Sequence, residues 1–259
     1  MAGTGLFIDV RGRGAQPLVL IHGWAMHGGV FAPLVEALAE RCTLYLVDLP
    51  GHGHSRRCAL PLEPAAVVAA IAAATPPATW LGWSLGGLFA LHAAATRPAQ
   101  ARALAMVCAT PRFVVGSDWP HAMAPDTFAA FATGLEHDWR ATVERFLALE
   151  VLGDARAQTD LRRLRADLFA RGEPDPAALA AGLALLADSD LRVRLAKLAV
   201  PSVWIAGRRD RLVPAAALRA AAAACGGAFV ELEHAAHAPF LGHAAAVAAA
   251  LAPLLDDSP

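Results

Sequence analysis

A single serine stands between glycines where a strand-like apolar run meets a helix-like one. The stretch "WLGWSLGGLFAL" covers residues 80–91, and Gly82, Ser84 and Gly86 in it fit the pattern G-x-S-x-G. Glycines two residues to either side relieve crowding in a tight strand-to-helix turn, so the serine hydroxyl projects above a sheet beside a helix N-terminus. A serine that merely caps the helix is the alternative. The motif requires a strand before Ser84 and a helix after it.

Strand-like and helix-like segments alternate along much of the chain. The strand-like runs are apolar on both faces, which is typical of buried parallel strands. The alternation predicts an α/β fold with a mainly parallel sheet, whose ligands bind beyond the carboxyl ends of the strands. The runs are residues 6–10, 18–21, 43–47, 79–83, 103–108 and 202–206, and the helix-like segments are about 30–40, 64–74, 85–97, 214–224 and 243–252.

The alternation stops between residues 111 and 190, where helical sequence with aromatic and arginine-rich segments shows no clear strand. A chain of 259 residues is long enough for one main domain with an insertion. We therefore predict a core domain of residues 1–110 and 191–259 with a helical cap of residues 111–190. A cap of this kind excludes water and selects substrates.

A serine hydroxyl is a poor nucleophile at neutral pH, so it needs a histidine base and an acid that orients the histidine. For a serine on such a turn, the expected chain order is Ser, acid, His. Asp210 follows the strand-like run 202–206, and His237 follows the last strand-like run, "AFVELE". The sequence therefore predicts Ser84, Asp210 and His237 as the catalytic residues.

Other residues compete for these roles. Asp188 and Asp190 precede the sixth apolar run, which is the wrong place for the acid. Asp210 can also be interpreted as a surface acid among neighbouring arginines. His234 is the rival of His237, but His237 has the small neighbours and the following proline that suit a histidine lying over the nucleophile.

Acyl transfer by a serine also needs backbone N–H groups that bind the developing oxyanion, each worth about 10²- to 10³-fold in rate. One donor is the amide after the nucleophile, here Leu85, and the other comes from the loop after an early strand. In "LVLIHGWAMHGG", Gly23 bends the chain so that Trp24 presents its N–H while its indole walls the pocket. An ordinary turn with a core tryptophan is the alternative.

Charge and motifs argue against several other functions. The formal net charge is −1, from 22 basic and 23 acidic side chains, so no overall field favours nucleic acid or a membrane surface. His22, His27, His52 and His54 are close in sequence, but no carboxylate or cysteine frames them at metal-ligand spacing. No P-loop is present, and no G-x-G-x-x-G follows the first strand. We expect no metal and no nucleotide.

Sequence features also predict a cytoplasmic location. The stretch "MAGTGLFIDVRGRG" lacks the pattern of a signal peptide, and the most apolar stretches are alanine-rich and interrupted by proline. The four cysteines lie far apart without CxxC spacing, which favours free thiols in a reducing compartment. No membrane span is expected.

Along nearly its whole length the chain resembles the α/β-hydrolase superfamily, through "LIHGW", "VDLPGHGHS", "GWSLGG", "GRRDRLVP" and "AAHAPF". More narrowly, it resembles the pimeloyl-[acyl-carrier protein] methyl ester esterases of biotin synthesis. That resemblance is carried by "LVLIHGW", "TLYLVDLPGHGHSR", "WLGWSLGGL", "VERFLALEVLG" and "EHAAHAPF", which span both core and cap.

The resemblance implies an α/β-hydrolase fold: a mostly parallel twisted sheet flanked by helices, with a helical cap inserted after the sixth strand. It implies hydrolysis of a methyl ester on a dicarboxylate chain carried by acyl-carrier protein, performed by a monomer that needs no cofactor. Ser84 matches the nucleophile, His237 the base and Asp210 its orienting acid, while Trp24 and Leu85 match the oxyanion donors.

The resemblance also implies substrate contacts. Phe146, in "VERFLALE", matches a cap aromatic that lines the acyl channel, although a plain core phenylalanine is the alternative from spacing alone. The implied substrate-binding residues are Trp24, Ser84, Leu85, Phe146 and His237.

A partner follows from the same resemblance, because acyl-carrier protein is acidic. Residues 139–171 contain seven arginines and five acids, so Arg145 and Arg162 on the cap are predicted to dock the carrier. The family's cap arginines are only partly matched, since Arg140 and Arg156 are slightly out of register. A solvated helix face is the alternative.

Two further functions stay open at this point. One is a broad short-chain carboxylesterase with the same triad and no carrier partner. The other is a non-catalytic ligand-binding protein on a hydrolase fold, because fold alone does not determine function.

Overall fold

A seven-stranded sheet organises the part of the chain that the computed structural model describes, residues 5–154 and 156–256. The strands are β1 (Ile8–Arg11), β2 (Gln16–Ile21), β3 (Cys42–Val47), β4 (Ala78–Trp83), β5 (Ala101–Val107), β6 (Ser202–Gly207) and β7 (Ala228–Leu232). Their order is β1-β3-β2-β4-β5-β6-β7. Strand β1 pairs antiparallel with β3, and all other neighbours are parallel. The predicted α/β fold with a mostly parallel sheet is confirmed.

Helices connect and flank these strands. They are α1 (Ala32–Leu38), α2 (Pro64–Ala74), α3 (Leu85–Thr96), α4 (Pro125–Glu150), α5 (Ala157–Ala170), α6 (Pro176–Asp188), α7 (Ala215–Cys225), α8 (Pro239–Gly242) and α9 (Ala244–Asp256). Short 3₁₀ turns cover Gly28–Phe31, Gly53–Ser55 and Arg192–Lys197. Several helices begin with proline in the first turn, where its missing N–H costs no hydrogen bond.

The central strand β4 places the serine motif in the middle of the sheet. All six residues of β4 are buried, and so are all six of β6. Burial on both faces explains why these strands are apolar throughout rather than alternating. The chain leaves β4 at its carboxyl end and enters α3 directly, so Ser84 lies at the edge where parallel strands present their loops.

The helical insertion follows the fifth strand of the described sheet, so the predicted position after the sixth strand is wrong. Before β2 the described residues contain one strand, β1, and residues 12–15 connect the two directly. Helices α4, α5 and α6 therefore lie between β5 and β6. The domain boundaries at residues 111 and 190 stay a prediction.

Helix α4 is bent in its middle. Asp138 has non-helical backbone angles, φ −155° and ψ 92°, and its side-chain Oδ1 accepts a hydrogen bond from the Ala141 N–H at 3.0 Å. Asp138 thus caps the second half of α4 and redirects it. That second half carries Phe146 and Glu150 inward, and both side chains are buried.

A buried ionic network joins the helical insertion to the sheet. Arg171, just after α5, bonds Asp48 at 3.0 Å and Asp9 at 3.1 Å. The Asp48 side chain is 0% exposed and also accepts the N–H groups of Gly28 and His54. A buried carboxylate that loses its cation retains the desolvation cost, so this contact is more important than a surface ion pair.

Among the described residues, no helix combines the length and the apolar character needed to cross a lipid bilayer.

Replacement of Arg171 should destabilise the fold. Arg171→Met leaves Asp48 buried without its cation, so we expect the free energy of unfolding to fall by about 3 kcal/mol. Arg165→Met is the matched control, because the Arg165–Glu144 pair is about half exposed on both sides; its cost should stay below about 0.5 kcal/mol. Urea denaturation measures both. Equal losses in the two variants would contradict the network's role.

Candidate active site

Ser84 occupies a strained turn at the end of β4. Its backbone angles are φ 52° and ψ −119°, which a residue with a side chain rarely adopts. The flanking glycines permit this turn, because a Cβ on Gly82 would lie 2.4 Å from the Gly86 carbonyl oxygen, and one on Gly86 would lie 2.1 Å from Ile21 O. The Ser84 side chain makes no capping hydrogen bond to α3. The capping alternative is therefore excluded.

The three predicted catalytic side chains meet in one hydrogen-bonded line. Ser84 Oγ lies 2.9 Å from His237 Nε2, and His237 Nδ1 lies 2.7 Å from Asp210 Oδ2. Because the carboxylate can only accept, His237 carries its proton on Nδ1, and Nε2 accepts from the serine hydroxyl. The His237 and Asp210 side chains are at most 1% exposed. This geometry suits transfer of the serine proton to a positioned base.

Asp210 is fully satisfied as an anion. Its Oδ1 accepts the backbone N–H groups of Leu212 at 2.8 Å and Val213 at 2.9 Å, while Oδ2 accepts from His237. Charge-assisted hydrogen bonds of this kind stabilise the ionised form in a buried place. The loop after β6 therefore holds the acid in one orientation.

The backbone of His237 is fixed from two sides. Its carbonyl oxygen accepts the indole N–H of Trp83 at 2.7 Å, and its N–H donates to Glu150 O at 2.9 Å. The first contact comes from the strand that carries Ser84, and the second from the end of α4. The imidazole is held by the core and by the helical insertion together.

The rivals for the triad lie elsewhere. His234 is exposed and contacts the Arg209 guanidinium at 3.3 Å. Asp190 pairs with Arg112 and Arg192 on the surface, and Asp188 is exposed. None of the three contacts Ser84.

The predicted oxyanion residues lie beside the serine. Leu85 is the first residue of α3, where the N–H has no intrahelical acceptor. Gly23 packs on the Ser84 side chain, since a Cβ there would come within 3.2 Å of Ser84 Cβ, and Trp24 follows it. Within the described residues, neither the Trp24 nor the Leu85 N–H is used in a backbone hydrogen bond. Their role as donors stays a prediction.

Trp24 connects this loop to the insertion. Its indole is 0% exposed and donates to Leu179 O at 2.8 Å. Phe146 is also buried, and its ring lies edge-on to Trp24 with centroids 4.9 Å apart. The structure therefore brings Phe146 next to the site, whereas Arg145 and Arg162 are exposed on the outside of α4 and α5.

Several residues that shape the site were not predicted from the sequence. Leu179 contributes only a carbonyl, which no motif reveals. Gly182 lets α6 approach the site, because a Cβ there would lie 2.8 Å from the Trp24 ring and 3.2 Å from Leu85. A lone glycine inside a helix costs about 1 kcal/mol, so Gly182 was a usable signal of close packing. Glu150 resembled an ordinary polar position of an amphipathic helix.

His22, next to the loop of Gly23 and Trp24, forms hydrogen bonds to the backbone. His22 Nδ1 lies 2.8 Å from Gly23 O, and its Nε2 accepts the Leu49 N–H at 2.9 Å. Burial, reinforced by His52, lowers the pKa of His22 well below its ordinary value. A neutral His22 thus ties the Gly23 turn to the loop after β3. Among the described residues, the one group of three potential metal ligands is Cys108, Asp210 and His237, which includes two members of the triad.

A sequence profile described as alpha/beta hydrolase fold matches residues 16–244. Two curated relatives are named pimeloyl-[acyl-carrier protein] methyl ester esterase. The protein from Stenotrophomonas maltophilia (strain R551-3) is 61% identical over 247 residues, 95% of each chain. The protein from Xanthomonas oryzae pv. oryzae (strain MAFF 311018) is 62% identical over 95% of this chain and 97% of its own.

Solved structures agree in fold. The esterase from Exiguobacterium antarcticum superposes with a TM-score of 0.86 at 20% identity, covering 97% of this chain and 96% of its own. The bromoperoxidase from Bacillus anthracis gives 0.85 at 20% identity, with coverages of 97% and 95%. At such identities the likeness concerns the fold alone.

The triad geometry predicts a reactive serine. A fluorophosphonate probe should label Ser84, and Asp210→Asn should slow labelling by about 10³-fold, because the wrong histidine tautomer then faces the serine. Asp188→Asn is the control and should label at the wild-type rate. Mass spectrometry identifies the labelled residue and gives the rates. Labelling that survives Ser84→Ala would contradict the assignment.

Proposed function

This chain belongs to the alpha/beta-hydrolase family, and from that premise we propose that it is a serine carboxylesterase that hydrolyses pimeloyl-[acyl-carrier protein] methyl ester. The observation that carries the reaction type is the continuous line from Ser84 through His237 to Asp210. The substrate is supported by relatives of that name that are 61–62% identical over 95% of this chain. The products are pimeloyl-[acyl-carrier protein] and methanol.

The reaction proceeds in two halves. Ser84 Oγ attacks the ester carbonyl carbon while His237 Nε2 takes the hydroxyl proton, and His237 then returns that proton to the departing methanol. A water, deprotonated by the same nitrogen, next attacks the acyl-enzyme and releases the acid. Asp210 keeps the Nδ1 proton in place and stabilises the imidazolium. In both halves the N–H groups of Trp24 and Leu85 bind the oxyanion.

The insertion, residues 111–190 in our proposal, acts as a cap that closes over the site. Ser84 is 2% exposed and His237 is 0% exposed, so the substrate chain must enter between cap and core. Trp24 and Phe146 form an aromatic contact at this boundary, where they line the path of the acyl chain. An apolar path suits the methylene groups between the two carboxyl ends.

The arginines of the cap that form no ion pair within the described chain are the ones that we propose bind the carrier protein. Four arginines of residues 139–171 are ion-paired within the chain, namely Arg140, Arg163, Arg165 and Arg171. The exposed Arg145, Arg156 and Arg162 form no ion pair among the described residues. Arg145 and Arg162 are therefore proposed to present their positive charge to an acidic carrier.

The remaining features of the proposal follow from this chemistry. The proposal includes a monomer that uses no cofactor. It also includes a cytoplasmic location, which the buried free thiols of Cys42 and Cys108 support because a reducing compartment keeps thiols free. Its product is the pimeloyl thioester used in biotin synthesis.

Carrier recognition should appear as a salt-dependent preference. At low ionic strength we expect Arg162→Glu or Arg145→Glu to lower kcat/KM for the carrier-bound methyl ester about tenfold and to leave free dimethyl pimelate unaffected. Arg102→Glu is the control, because Arg102 is exposed near the start of β5, at the opposite edge of the sheet. Equal efficiency on both substrates at every salt concentration would indicate a broad esterase. No turnover of any ester would indicate a binding protein.

Genetic complementation tests whether the protein performs the esterase step of biotin synthesis. Expression of the protein in a biotin auxotroph that lacks this esterase step should restore growth without biotin. The Ser84→Ala variant, expressed at the same level, should not, because the nucleophile is lost. Failure of the well-expressed wild-type protein would contradict the biotin assignment while leaving esterase activity to be judged on the esters above.

A further inference from the structure

Glu150 is a buried acid to which the proposed reaction assigns no role. It is the last residue of α4 and is 0% exposed. Neither carboxyl oxygen has a hydrogen-bond partner in the described part of the chain. Buried carboxyl groups are normally paired or hydrogen-bonded, because an isolated buried charge is costly. An orphan acid of this kind requires a physical explanation.

The main chain of Glu150 contacts the catalytic base directly. Glu150 O accepts the His237 N–H at 2.9 Å, while Trp83 holds the His237 carbonyl from the opposite side. A shift of the end of α4 would therefore move the backbone that carries the imidazole. The alignment of His237 with Ser84 depends on where α4 ends.

Two titratable groups on other elements, Asp210 and Cys108, interact electrostatically with the Glu150 side chain. Asp210 lies on the loop after β6, and Cys108 follows β5. His237, which precedes α8, contacts Glu150 through its backbone N–H. Burial, and after it the charge of Asp210, raises the pKa of Glu150 well above its usual range. Burial and Asp210 likewise raise the pKa of the Cys108 thiol. On the adjoining loop, Asp154 is hydrogen-bonded elsewhere.

We propose that Glu150 is a positioning residue of the active site that works as a neutral acid. Its carbonyl fixes the backbone of His237, and its uncharged side chain packs behind the triad without adding a second negative charge beside Asp210. Ionisation of Glu150 would create a buried charge without a cation partner among the described residues. Such a charge drives the carboxyl group toward water and pulls the end of α4 away from His237.

The kinetic test rests on the proposed esterase function and uses two neutral replacements of similar length, Glu150→Gln and Glu150→Met. With p-nitrophenyl butyrate, the readout is the pH profile of kcat, normalised for each protein to its own value at neutral pH. As the pH rises, wild-type kcat should fall about tenfold in a step that both variants lack, with KM unchanged. Glu144→Gln, an exposed position on the same helix, is the control and should follow wild type.

Thermal unfolding gives a second readout. Unfolded Glu150 ionises near the ordinary glutamate pKa of about 4.3, whereas the folded protein holds the proton to higher pH. Between these values the folded state binds more protons than the unfolded state, so stability falls as the pH rises. The melting temperature of wild type should therefore drop relative to Glu150→Gln through this window, and Glu144→Gln, which keeps Glu150, should drop as wild type does.

Infrared spectroscopy tests the protonation state without turnover. At neutral pH the difference spectrum between wild type and Glu150→Gln should contain the C=O band of one protonated carboxyl group. Absence of that band would overturn the proposal. Identical pH profiles of kcat in wild type and both neutral variants would overturn it as well. If wild type hydrolyses no ester at all, the proposed function fails, and the positioning role fails with it.

Discussion

The hydrogen bond between Ser84 Oγ and His237 Nε2 joins residues 153 positions apart in the chain, and the rest of the site serves to keep it. The serine end is fixed by backbone strain: a positive φ at Ser84 is tolerated because the glycines around it leave room. The histidine end is fixed by three partners, which are Asp210, Trp83 and Glu150. A poor nucleophile is thereby aligned with its base before any substrate arrives, so little reorganisation is needed during reaction.

The sequence predicted the parts of this arrangement that depend on local chemistry. Gly82 and Gly86 around Ser84 indicated a tight turn, and the positions of Asp210 and His237 after strand-like runs placed them at the same sheet edge. The contacts of Leu179 and Glu150 were not predictable in that way, and the glycine at 182 within helical sequence signals close packing without identifying its partner. Leu179 and Glu150 act through main-chain carbonyls, which every residue has, and their partners lie far away in the chain. The arginine pattern of residues 139–171 likewise showed charge but not pairing, because the acids that neutralise Arg140 and Arg171 lie outside that segment.

The ionisable side chains buried near the triad are held in their neutral forms, apart from Asp210 and the histidine that it orients. His22 is neutral because burial lowers its pKa, and the Cys108 thiol is neutral because burial raises its pKa. Asp210 carries its charge with three hydrogen bonds. The interior has a low dielectric constant, which strengthens the attraction between nearby charges. An imidazolium that forms at His237 is therefore stabilised chiefly by the Asp210 carboxylate beside it. A neutral Glu150 preserves that arrangement.

The helical insertion contributes to the site itself, and this limits how it can open. Leu179 holds the Trp24 indole, Glu150 holds the His237 backbone, and Arg171 is bound to the buried Asp48 of the core. If the insertion lifted as one body, it would release the Trp24 indole and the His237 backbone together and leave Asp48 without its cation. These three contacts are made by the end of α4, the middle of α6 and Arg171. The first half of α4 makes none of them, and the bend at Asp138 separates it from the half that ends at Glu150. A movement that admits substrate and keeps Ser84 aligned with His237 has to leave these three contacts in place.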